Sequence, residues 1–192
     1  MQRTLTFSIL AALTWSNVSA EEKFRQLDSH VHGHGSLNIA IEGKVVEMEL
    51  EVPGADIVGF EHKPGNSEEE AAIKAALEKL KQGGALFQFP SDAKCDLERS
   101  TAELVTENDG HNHKHDTEKH GDHKTDRHKE EHAEFVAYYR FGCADPDQIT
   151  ELRLPYFDAF PNSEELEIQM ISRRGTRGFE VERANPVLVL PN

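Results

Sequence analysis

The chain has 192 residues, with 21 basic against 35 acidic side chains and a net charge of −14 when histidine is neutral. That balance argues against nucleic acid, whose phosphates call for basic patches, and favours cationic partners. The length suits one domain with its own hydrophobic core.

Residues 1–20 read as a secretory signal. Arg3 is a minimal basic start, Leu5 to Trp15 form an apolar run too short to cross a bilayer, and Val18-Ser19-Ala20 fits a cleavage site. The expectation is export, with 21–192 as a single domain and no membrane span after cleavage. Cys95 and Cys143 are the only cysteines. In an oxidising compartment they most simply form one disulfide, with a pair of thiolate zinc ligands as the alternative.

His30, His32 and His34 alternate near the mature start. In an extended chain such a row points to one side, with neighbours about 6.5–7 Å apart. It continues the polar phase of Ser36 and Asn38, so it faces away from the core. Adjacent members can share an ion with modest bending at Gly33 and Gly35. Asp28, His62 or a later histidine would supply a further donor.

Residues 36–52 alternate apolar and polar on either side of Gly43-Lys44, which predicts a β-hairpin ended by Pro53-Gly54. His62, between Glu61 and Pro64, suits packing and ligation equally. Ser67 to Glu70 form a capping box with Ser67 as N-cap. Ile73, Ala76, Leu77 and Leu80 make a helical stripe, and Gly83-Gly84 closes it. Leu86 to Phe89 predict a short strand.

Cys95–Val105 and Ala133–Cys143 pair as antiparallel strands when Cys95 is set opposite Cys143. One register then opposes Leu97 to Phe141, Glu98 to Arg140 and Val105 to Ala133. The connection between them carries His111, His113, His115, His120, His123, His128 and His132, seven of the chain's 11 histidines. The stretch 106–132 has too few apolar groups to order itself without metal. Its spacings specify no single tetrahedral set, which points to capture and exchange. Its deletion should leave the fold intact, because loop closure depends weakly on length. Strands are expected at 149–154, 165–172, 179–182 and 187–190, with a turn over 172–178. The fold class is α+β: a mostly antiparallel sheet, one main helix and a long disordered His-rich hairpin loop.

Imidazole is a ligand for zinc, copper and nickel alike, so a metal-binding role is expected and the residues leave the choice among these ions open. Binding needs neutral imidazole, and affinity should fall below about pH 6.5. Catalytic signals are weak. There is no nucleophile elbow, and His128-Lys-Glu-Glu-His132 resembles a zincin motif with its glutamate displaced by one position. No enzyme activity is expected. The residues themselves describe a metal binder, and one reading of it is a buffer or sink for excess zinc, copper or nickel.

Several short motifs occur in order along the chain. They are His30–Gly35 leading into Leu37-Asn-Ile-Ala-Ile-Glu-Gly43, then Val58-Gly-Phe-Glu-His62, Leu86-Phe87 before a cysteine, Tyr139-Arg-Phe-Gly-Cys143, Phe157-Asp-Ala-Phe-Pro161 and Arg174-Gly175. Together they resemble the zinc-regulated periplasmic proteins of the ZrgA type, and Asp109–His132 matches that family's variable His-rich insert. The resemblance implies a periplasmic zinc-binding protein that assists zinc uptake alongside a zinc ABC importer.

Overall fold

The computed structural model describes residues 32–106 and 132–190. The expected signal, His30, and the histidines from His111 to His128 lie outside the described residues. The hairpin forms as β1 (His34–Glu42) and β2 (Val45–Pro53), with Leu37 opposite Leu50 and Ile39 opposite Met48. Gly43 takes a φ of 56°, the left-handed conformation the tight turn requires.

The chain then makes α1 (Gly54–Val58), α2 (Ser67–Leu80) and α3 (Gly83–Leu86) before the strands β3 (Cys95–Thr106) and β4 (Ala133–Cys143). It ends with β5 (Glu151–Arg153), α4 (Tyr156–Ala159), β6 (Glu165–Ser172), β7 (Gly175–Glu182) and β8 (Val187–Val189). Six strands form one sheet in the order β3-β4-β2-β1-β6-β7, and β5 pairs with β8 separately. Only the β1–β6 pairing in the large sheet is parallel.

One face of the sheet supplies the core through Leu37, Leu50, Phe135, Leu166 and Ile168, all essentially buried with Leu80, Tyr156 and Phe157 from the helices. Each such side chain contributes roughly 1.5–3 kcal/mol on leaving water. Tyr139 crosses this layer and donates from its hydroxyl to the Leu80 carbonyl at 2.9 Å. Among the described residues no helix is long and apolar enough to cross a membrane.

Several local expectations are corrected. The N-cap of α2 is Asn66, whose side chain accepts from the Glu68 and Glu69 N–H groups, while Glu69 reaches back to Gly65 N–H at 2.7 Å. Asn66 takes the place expected for Ser67, and Glu69 that expected for Glu70, because Asn66 adopts the extended backbone a cap needs. Gly83 opens α3 instead of closing α2. A Cβ there would lie 2.4 Å from the Tyr139 ring, so close packing explains the glycine. The 86–89 strand reduces to one bridge between Gln88 and Arg153, since Leu86 belongs to α3. The last hairpin turns on Arg173-Arg174 alone, and β7 begins at Gly175.

The β3–β4 register holds at Cys95–Cys143 and Leu97–Phe141, and the two cysteines form a disulfide. The thiolate-ligand alternative is thereby overturned. A bulge between Leu97 and Arg99 shifts everything beyond it by one. Arg140 then faces Arg99, though Glu98 still accepts from Arg140 Nε at 3.2 Å. Val105 faces Glu134, and Thr106 pairs with Ala133. Thr106 therefore belongs to the ladder, and with His132 it bounds the 107–131 insert.

Candidate metal centre

The starts of β1, β4 and β6 and the end of β2 come together at one end of the sheet. The turn at Gly54 draws three backbones into contact there. A Cβ on Gly54 would stand 2.7 Å from the Phe60 carbonyl oxygen and 2.9 Å from that of Ala133. Its absence lets Glu61 lie beside His132. His132 Nδ1 donates to Glu61 Oε2 at 2.9 Å. The other oxygen, Oε1, lies 3.2 Å from His32 Nε2, at an angle that makes no hydrogen bond. One carboxylate, only 12% exposed, thus serves two imidazoles that are 100 positions apart in sequence.

Gly33 decides where the N-terminal histidines go. Its φ of 89° breaks the extended run, so His32 and His34 do not form one row. His32 turns to Glu61, and His34 Nδ1 lies 3.5 Å from Glu165 Oε1. The left-handed glycine between them sends the two imidazoles to different carboxylates, Glu61 and Glu165. Gly33 is itself held from both sides. Its carbonyl accepts from the Glu164 and Glu165 N–H groups, and its own N–H donates to Asp56 Oδ1 at 2.8 Å.

Asp56, in the first turn of α1, is 2% exposed. Burial pushes its carboxyl pKa up. The Gly33 N–H and His32 oppose that shift, and Glu61 reinforces it. Among the described residues, Asp56 Oδ2 and Glu61 Oε1 are buried carboxylate oxygens with no hydrogen-bond partner. Such orphans are uncommon in folded proteins and call for a ligand or a functional reason.

His62 does not join this cluster. It bonds the Lys63 carbonyl at 2.9 Å, lies 4.0 Å from Glu69 and stacks on Phe60 with ring centroids 4.9 Å apart. Its side chain is exposed. Among the described residues, no group of three or more His, Cys, Asp or Glu side chains is placed to hold a metal ion. The sequence reading named the histidines and missed Asp56 and Glu61. Nothing in their spacing separates them from the other acids, although Glu61 adjoins His62 in one of the motifs that carry the resemblance.

The family model for ZrgA family zinc uptake proteins matches residues 29–190. That span includes every residue of the cluster and the whole sheet. No curated protein matches the chain. With the match running over residues 29–190 of the 192, the chain belongs to the ZrgA family of zinc uptake proteins.

Proposed function

We propose that this protein is exported to the periplasm, captures zinc there and passes it to an uptake system, a zinc ABC importer by the chemistry of the task. Its role is binding and delivery, without catalysis. The observation that carries the reading is Glu61 held between His32 and His132 at the end of the sheet where the insert leaves the domain. A domain with its own donors there can receive an ion gathered by the insert's tethered imidazoles, which raise local concentration. Family membership supports zinc as the cargo and lends nothing to copper or nickel.

The test is zinc accumulation in zinc-starved cells lacking the protein. Uptake should fall, recover with the wild-type chain, and fail to recover with His32→Ala/His132→Ala. Unchanged uptake combined with greater sensitivity to excess zinc would establish a sink instead.

A further inference from the structure

The turn between β6 and β7 lies at the end of the sheet away from His34 and Glu165, about 23 Å along β6. A chain with a net charge of −14 places Arg173, Arg174 and Arg177 together there. A cavity of about 110 Å³ opens beside them, floored by Ile41, Ile149, Met170, Phe179 and Leu190. Arg173 is paired with Asp147. Among the described residues, no side-chain hydrogen bond or ion pair engages Arg177.

The position of Arg177 breaks a pattern. Leu166, Ile168 and Met170 of β6 are buried, and they stand opposite Val181, Phe179 and Arg177 of β7. Arg177 therefore occupies the inward phase, where period-two alternation calls for an apolar side chain. The strand that carries it is an edge. Among the described residues β7 pairs with β6 alone, and its other side is open. An inward charge on an edge strand discourages pairing with apolar segments. The same charge favours a segment that brings the opposite sign against it.

We propose that the β7 edge docks an extended acidic segment of a partner protein by strand addition, with a carboxylate of that segment on Arg177 and an aliphatic side chain two positions along in the cavity beside Phe179. Side chains two apart on an added strand share a face and stand about 7 Å apart, so one segment reaches both features. The guanidinium takes a carboxylate through paired N–H donors. Arg174, on the turn, adds positive potential at the rim. The cavity is somewhat smaller than the roughly 150 Å³ apolar cavity that holds a benzene ring, which suits one branched aliphatic side chain. Charge also fixes where the segment lies. Glu180 and Glu182 repel it from the far end of β7, and the acidic body of the chain repels it elsewhere. Zinc takes no part in this contact.

The experiment uses the full chain and a short, capped, fluorescein-labelled peptide. Threonine alternates in it with leucine and glutamate by turns, so that one face carries both. Fluorescence polarisation should show saturable binding that weakens as salt rises. Arg177→Gln should weaken it by at least about 10-fold, the scale of a lost charge-assisted hydrogen bond. Arg177→Glu should abolish it and create binding to the matching peptide with lysine in place of glutamate. Methylation of alternate backbone nitrogens of the peptide should abolish binding in one phase and spare it in the other, because only one set faces the β7 edge. Thermal melts confirm that each variant folds, and zinc titration of the variants should match wild type.

Absence of saturable binding overturns the proposal, and so does binding that survives Arg177→Glu. Indifference to methylation in both phases removes strand addition. Equal competition by free glutamate would reduce the site to a pocket for small carboxylates. Binding to vesicles of anionic phospholipid, lost in Arg177→Glu while the peptide is ignored, would assign the turn to a membrane surface instead.

Discussion

Glu61 and Asp56 each spend one oxygen on holding the local backbone or a histidine and keep the other bare. A bare buried carboxylate oxygen costs stability in the absence of a cation. Asp56→Asn keeps the acceptor for the Gly33 N–H and removes the charge. In chelator, this variant should be more stable than wild type by about 1 kcal/mol at neutral pH. The sign of the pH dependence follows from the direction of the shift. Burial raises the folded pKa of Asp56 above its ordinary 3.8. Below 3.8 the carboxyl is protonated in both states and wild type suffers nothing from it. Stability is lost as pH rises through the raised folded value, so the gap between wild type and Asp56→Asn should open from near zero in acid to its full size at neutrality. Thermal melts in chelator across that range measure it, and a gap independent of pH would refute the argument. The histidines of this site could be read from sequence because histidine is sparse and clustered. The carboxylates could not, because which of 35 acidic residues become buried depends on where Gly54 and Gly33 bend the chain.

At the scale of elements, the β3–β4 ladder has a staple at one end and the Glu61–His132 pair at the other. Cys95 pairs with Cys143 where the strands meet, and Thr106 pairs with Ala133 beside His132. The two ends should therefore separate by mutation. Cys95→Ser/Cys143→Ser opens a crosslink spanning 48 positions. On the chain-entropy model this lowers stability by about 4 kcal/mol. It should leave the zinc affinity of the folded domain unchanged. Gly54→Ala should do the opposite in kind. Its Cβ would press on the carbonyls of Phe60 and Ala133, parting Glu61 from His132. Overpacking of this sort costs roughly 1–3 kcal/mol, and zinc affinity should fall with it. Urea unfolding in chelator and zinc competition, run on both variants, would decide. A disulfide mutant that folds but loses zinc would show that the ladder transmits strain along its length. The ladder's pairing was legible because cysteines, an apolar pair and opposite charges agreed on one register. The bulge after Leu97 was not, since an extra residue on one strand leaves no mark in period-two alternation. The cap of α2 shows the same limit: Asn66 and Ser67 are both good caps, and backbone geometry chose between them.

At the scale of the whole molecule, an acidic domain carries a histidine-dense insert on the end of its sheet that bears its own donors. The insert's two attachment points, Thr106 and His132, flank a closed strand pair, and the core lies on the sheet face away from any role in closing it. Replacing 107–131 with a short Gly-Ser turn, with His132 retained, should therefore preserve the fold. Stability should rise by only about 1.5 kcal/mol, because closure entropy changes by about 0.6 kcal/mol for each halving of the connection's length. Total zinc bound should drop, while one tight site remains. The placement of the cut matters. A deletion that also removes His132 takes away the N–H that orients Glu61, and it should weaken the remaining site by the roughly 10–100-fold typical of an outer partner. Comparing the two deletions by chelator competition thus separates the insert's contribution from the domain's. Equal affinity in both would show that His132 is an incidental neighbour of Glu61. Loss of all tight binding in the shorter deletion would move the receptor for zinc from the sheet end to the insert itself.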